Sequence, residues 1–209
     1  GNVRQRHRLG VDYRFQRLLT GALMSGVAGV AMAADVPADC SALPAPDQPL
    51  EAVIHAKPVA LPHISLRLNS QGMSMGGRNF VGNRLRMTDS DSLSSRQYEF
   101  DLVIAHAEGE TLAGRTFVIY PVKSSSEQPQ LGDSGFPVIQ GWSVEGPEIG
   151  SNIKNAFNIA SMTLTFGDIS GGTVSGEIYF CLAADSEDRF TKTKVNTTYL
   201  AGRFEAVVE

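Results

Sequence analysis

From His63 onward the chain alternates. Ile64, Leu66 and Leu68 take turns with Ser65, Arg67 and Asn69; Tyr98, Phe100, Leu102 and Ile104 with Glu99, Asp101, Val103 and Ala105. Met162, Leu164 and Phe166 do the same with Ser161, Thr163 and Thr165. Successive side chains of an extended strand point to opposite faces, so a period of two puts one face on a core and the other in water. Further on, Val174, Ile178, Phe180 and Leu182 share one face with Gly176, and Leu200, Phe204, Ala206 and Val208 share another with Gly202. Arg115 to Val122 reads as a strand ending at Pro121, and Phe136 to Val144 as a weaker one. Turn-forming clusters separate the runs: Gly76-Gly77, Asp89-Ser90-Asp91-Ser92, Ser124-Ser125-Ser126 and Gly171-Gly172. Only Asn152 to Ala160 hints at a short helix, with Ile153, Phe157 and Ala160 on one face. Short strands punctuated by Gly, Pro and Ser, without alternating helices, predict an all-β domain over 63–209. The expected architecture is a single antiparallel β-sandwich. A small closed β-barrel is the alternative, because periodicity does not fix closure. A lipid-facing barrel needs strands of ~9–11 residues with an unbroken apolar face, and most runs here are shorter.

Ahead of the domain lie two other kinds of sequence. Leu18 to Ala33 carries no charge, follows Arg14 and Arg17, and ends in Ala31-Met32-Ala33. A basic flank, a short apolar run and an A-x-A end describe a secretory signal peptide, so residues 1–33 are expected to be a targeting segment. The rival is an uncleaved anchor, but the run is shorter than the ~20 residues of a membrane span. The mature chain is therefore expected to have no span and to be exported, to a periplasm or outside the cell. Residues 34–62 form a leader containing Pro37, Pro44, Pro46, Pro49, Pro58 and Pro62. Such proline density removes backbone donors and favours an extended, polyproline-like course with little secondary structure.

Charge narrows the partners. The sequence holds 18 basic and 22 acidic residues; five Arg and one Asp lie in 1–33, leaving 13 against 21, a net of −8. A domain of that sign is unsuited to nucleic acid or an anionic membrane, both of which require cationic clusters. Cys40 and Cys181 are the two cysteines. An even pair in an exported chain reads as one disulfide. Cys181 falls on the face of its strand opposite Ile178, Phe180 and Leu182, where it can meet a leader crossing the outside of the sheet. Two Cys without a neighbouring His fall short of a zinc set, and no cofactor loop is present.

Gly132-Asp133-Ser134-Gly135-Phe136-Pro137 resembles the Gly-Asp-Ser-Gly-Gly-Pro box of chymotrypsin-like serine proteases. That resemblance implies Ser134 as nucleophile and an oxyanion amide from Gly132. The box departs from the family at Phe136. His106, the candidate base, precedes Ser134 by too little chain for the family's intervening barrel, and His55 and His63 lie beside prolines of the leader. Turn chemistry accounts for the same Gly, Asp and Ser, and the box is read as a turn. Asp89 and Asp91, and Asp185, Glu187 and Asp188, offer hard oxygen ligands, but neither loop has the calcium-loop pattern, so solvated turns are expected. Gln71 to Arg86 mixes glycine with Met73, Met75, Arg78, Arg84 and Arg86, and is read as a flexible hairpin loop whose alternative is a partner surface. Trp142, the single tryptophan, is expected in the core, with an exposed platform for a ligand as its alternative. Asn196-Thr197-Thr198 is a glycosylation sequon that matters only in a glycosylating host.

The pattern Val174-Ser175-Gly176-Glu177-Ile178-Tyr179-Phe180, followed by Leu200-Ala201-Gly202-Arg203-Phe204-Glu205-Ala206, is similar to endings of uncharacterised exported bacterial β-sandwich proteins of the cell envelope. It implies architecture and no activity. The functional expectation is a non-enzymatic exported protein with a binding or structural role toward a protein or glycan of the envelope, without metal or cofactor. A serine hydrolase built on Ser134 is the alternative.

Overall fold

Alternating segments become strands wherever a partner completes their hydrogen bonds. A computed structural model describes Cys40, residues 47–119 and residues 139–209. The apolar run Leu18 to Ala33, most of the leader upstream of 47, the Ser124 cluster and the Gly132–Pro137 box lie outside the described residues. In chain order the strands are β1 (Glu51–Ile54), β2 (Lys57–Val59), β3 (His63–Met75), β4 (Arg78–Thr88), β5 (Glu99–Ala107) and β6 (Thr116–Ile119). There follow β7 (Ile139–Glu145), β8 (Ile153–Lys154), β9 (Ala160–Ser170), β10 (Thr173–Leu182) and β11 (Thr198–Val208).

The hydrogen-bonded order is β6-β9-β10-β11-β3-β4-β5-β7-β8, with the β1–β2 hairpin on the edge of β11. The path does not close, which excludes the barrel. It folds over on itself instead: the ring of Phe180 on β10 lies 5.0 Å from Phe100 on β5 and 5.1 Å from Trp142 on β7, strands far apart along the sheet. One layer is β2-β1-β11-β10-β9-β6 and the other β3-β4-β5-β7-β8, with the core between them. Leu85, Met87, Phe100, Leu102 and Ile104 face Met162, Leu164, Phe166, Ile178, Phe180 and Leu200 there, all essentially without solvent contact. Among the described strands pairing is antiparallel except at one junction. Val207 and Val208 of β11 run parallel to Ser65 and Leu66 of β3, so the sheet is mixed rather than purely antiparallel.

Three local readings change. Gln71 to Arg86 is not a loop but the far half of β3, a tight turn and most of β4; the backbone turns at Gly76 (φ 58°) and Gly77 (φ 74°). Left-handed torsions at both central positions are what a type I′ hairpin requires. The leader is not without secondary structure, since β1 and β2 occupy 51–59. Pro58 is tolerated because β2 pairs only with β1 and leaves its other edge unpaired. Asn152 to Ala160 is not a helix: it holds β8 and a turn in which the Ile159 amide donates to the Ala156 carbonyl at 3.1 Å. Ile153 and Ala160 are buried as expected, but as strand residues. No helix among the described residues is long and apolar enough to cross a membrane.

The two cysteines meet. Cys40 and Cys181 are at disulfide distance, with Cα atoms 5.9 Å apart. Cys181 lies on the outer face of β10, as its position in the alternation predicts, in a small cluster with Val53, Tyr199, Ala201 and Tyr179.

Candidate functional site

Two bulges shape the second layer. Arg67 pairs with Arg84 and Gln71 with Gly82, so three residues of β3 stand opposite the single Asn83 of β4. Asn83 is completely buried, and its amide supplies what the broken ladder lacks. Its Oδ1 accepts from the Asn69 backbone amide at 3.1 Å, and its Nδ2 donates to the Ile104 carbonyl at 3.2 Å. The bulge carries Gln71 across the outer face, where its side chain lies over Gly82. The second bulge is on β7: Val103 pairs with Gly141 and Ile104 with Ile139, so Gln140 is the extra residue of the bulge. Beyond it the Asn155 Oδ1 accepts from the Trp142 amide at 2.9 Å, while the Asn155 amide donates to the Trp142 carbonyl at 3.0 Å.

Between the bulges lies a hollow of about 350 Å³ on the outer face. Its sides are Arg67, Gln71, Arg84, Asp101, Ser143, Lys154 and Asn155, and Gly141 supplies no side chain to fill it. A second hollow, about 580 Å³, opens at the adjoining end of the sandwich, where Arg96 and Gln97, Gly146 to Asn152, and Asp188 to Thr193 converge from three loops. Ser143 and Lys154 line both hollows, which makes the two neighbours along β7 and β8.

Electrostatics differ across these hollows. On the β4–β5 side three guanidiniums share two carboxylates. Arg84 Nε donates to both Asp101 oxygens, at 2.8 and 2.9 Å, and Arg84 Nη2 also meets Asp101. Arg86 reaches Glu99 at 3.0 Å and Asp101 at 3.5 Å, and Arg96 reaches Glu99 at 3.4 Å. The bond to Asp101 raises the Arg84 pKa above its ordinary value, with partial desolvation opposing it. Burial pushes the Glu99 carboxyl above the usual carboxylate range, against the pull of Arg86. Across the hollow Lys154 has no ion pair and no side-chain hydrogen bond among the described residues.

The residues singled out from sequence fall into separate places. Arg84 and Arg86 belong to the smaller hollow and its flank, but held by carboxylates rather than free for a partner. Trp142 lies in the core and offers no exposed platform: only 3 % exposed, it packs edge-on against Phe180 and Phe157, and its indole Nε1 has no hydrogen-bond partner among the described residues. Met73, Met75 and Arg78 sit at the β3–β4 hairpin tip, away from the lining of both hollows, where Arg78 lies over the Phe80 ring at 5.7 Å. Asp89 is occupied by the Gln97 and Tyr98 amides at 3.0 and 3.1 Å, which closes the β4–β5 loop; no metal-holding group of His, Cys, Asp or Glu occurs among the described residues. Asp188 is buried and accepts from the Phe190 amide at 3.0 Å and the Thr191 hydroxyl at 2.8 Å. His106 is buried at the end of β5, its Nδ1 2.8 Å from the Ala107 carbonyl; Ser134 lies outside the described residues.

Sequence reasoning missed Arg67, Gln71, Lys154 and Asn155 as neighbours. Their meeting depends on the two bulges, which alternation does not reveal. Compared with known proteins, the chain matches no family model, and no curated protein or solved structure is detectably similar to it.

Proposed function

We propose that this chain is an exported binding protein, periplasmic or secreted, that holds an envelope partner in the groove along β7 and β8. The observation that carries the reading is that two neighbouring hollows share Ser143 and Lys154 in their lining, on a face otherwise made of paired charges. Ligand sites are concave and lined by a few placed polar groups, and hollows of these sizes fall in the usual range of roughly 300–1,000 Å³. The Cys40–Cys181 pair supports export, because disulfides persist in oxidising compartments. The partner is a protein or a glycan, and the role is non-enzymatic.

The test is retention on envelope material from the host. Wild-type chain, disulfide intact, should be retained, and Ser143→Trp, which places a large ring in the lining that the hollows share, should be released. Equal retention of both removes the groove from the function. Fluorophosphonate labelling checks the hydrolase alternative: labelling that Ser134→Ala abolishes replaces the binding reading with an enzyme.

A further inference from the structure

We infer that the hollow over Gly141 is the subsite for a carboxylate-bearing sugar, a uronic-acid unit of a polysaccharide; this rests on the groove reading above. The charge of the lining is the first argument. The exported part of the chain is acidic, yet Arg67, Arg84 and Lys154 surround this hollow with Asp101 as the one carboxylate in its lining. Arg67 and Arg84 are direct cross-strand partners. Like charges placed opposite each other weaken a sheet, so a ladder built for stability alone would not pair them. Asp101 relieves Arg84, and Glu209 meets Arg67 at 3.3 Å at an exposed position, where such a contact contributes little. Lys154 lines the hollow with no carboxylate of its own among the described residues. The surplus is cationic, and it is concentrated on the two sides of one cavity.

The remaining lining says what kind of anion fits. Gln71, Ser143 and the Asn155 amide present neutral donors and acceptors, the groups that meet hydroxyls. The hollow exists because position 141 is glycine: a Cβ there would stand 3.2 Å from Asn155 Oδ1, the atom that holds the Trp142 amide. A lining that combines cations with amides and a hydroxyl suits a ring bearing one carboxylate and several hydroxyls. A bare phosphate or sulfate could use the donors but would leave the amide carbonyl oxygens without a hydroxyl to accept from. About 350 Å³ holds one such ring, and the adjoining hollow holds the next unit of a chain.

The experiment titrates the full chain, disulfide intact, with glucuronate, glucose and inorganic phosphate, followed by amide chemical shifts. Glucuronate should move Gly141, Ser143 and Lys154 saturably, and glucose should bind several-fold more weakly. Lys154→Gln, which removes charge and little volume, should weaken glucuronate about three- to fivefold, the value of one exposed ion pair. It should leave glucose unchanged, and added salt should reproduce the loss in wild type. Equal affinity for glucuronate and glucose overturns the carboxylate but leaves the groove standing. Phosphate binding as strong as glucuronate makes this a simple anion site and overturns the sugar. No response to any of the three overturns the subsite, and retention of wild type against Ser143→Trp then decides the groove separately.

Discussion

The two layers of the sandwich expose their outer faces in opposite ways. On β10 and β11 the outer residues Cys181, Tyr199 and Ala201 are as buried as the core, and a covalent bond from Cys40 lies on them. On β4, β5 and β7 the outer residues are Arg84, Arg86, Asp101 and Ser143, tied by ion pairs and hollowed by two bulges. One face is sealed at its β1 end with apolar contact and a cross-link; the other is kept wet, charged and concave. The contrast separates a closed surface from an open one in one small protein, and it can be attacked from either side.

Breaking the seal should have the largest effect. Cys40 and Cys181 are 141 residues apart, so their bond removes a long loop's freedom from the unfolded chain. The double variant Cys40→Ala/Cys181→Ala should lose up to about 4–5 kcal/mol in denaturant unfolding, less where the unfolded chain keeps residual order. A smaller but still severe loss is expected from Gly202→Ala on the same layer. Gly202 has φ 133°, and a Cβ there would lie 2.6 Å from the Gln48 and Pro49 carbonyl oxygens, where the chain entering β1 crosses β11. Backbone strain and the clash together should cost roughly 3 kcal/mol. A change of less than about 0.5 kcal/mol, the size of an ordinary surface substitution, would show that this crossing does not hold the layer's edge.

How much of the contrast was legible follows from the same residues. Alternation identified the core faces of β5, β9, β10 and β11, because each of these strands has its apolar residues on one side. It also placed Cys181 outside. The sealed face left a further trace: Tyr199-Leu200-Ala201 is apolar at consecutive positions, the mark of a strand buried on both sides. The open face left almost none. Gln71 and Lys154 are distant in sequence, and they line one hollow only because Asn83 faces three residues of β3 and Gln140 adds a residue to β7. Alternation gives a strand's faces but not its register with a neighbour, and a bulge is a change of register. The same blindness turned the β3–β4 hairpin into a loop, since Gly72, Gly76, Gly77 and Gly82 dilute its apolar pattern. It also turned β8 and its turn into a helix, since strands of two residues have no periodicity to read.

Asn83 is therefore the place to sharpen the comparison on the open side. Asn83→Ala leaves the Ile104 carbonyl without this donor in the buried interior and releases the Asn69 amide at an exposed bulge residue, which should cost about 1–3 kcal/mol. The bulge should relax, carrying Gln71 away from its place over Gly82, so amide shifts of Gly82 and Gly141 should move while those of Tyr199 and Ala201 stay fixed. Shifts spread evenly over both layers would mean that the open face is not shaped locally by this residue.

The smallest expected effect lies where the layers are tied together. Glu148, in the loop after β7, accepts from Lys57 Nζ of β2 at 2.6 Å and from the Tyr98 hydroxyl beside β5 at 2.7 Å. It thus bonds the edge of the sealed layer to the rim of the open one. The hydrogen bonds from Lys57 and then Tyr98 hold its carboxyl down at about 2, against an ordinary 4.5. A carboxyl depressed by folding binds fewer protons in the native state than in the unfolded one between those values. Its contribution is complete above pH 4.5 and disappears as pH falls through 2. The partners mirror it at the alkaline end: the bond to Glu148 raises both Lys57 and Tyr98, so their contribution is present below about pH 10 and is lost as each deprotonates. Glu148→Gln should consequently flatten the loss of Tm between pH 4.5 and 2 relative to wild type, while the two proteins differ little in shape near neutrality. The clamp is solvent-accessible, so high salt should shrink the difference. Parallel Tm curves for wild type and Glu148→Gln across that acid window would mean that the two layers are joined by their core alone.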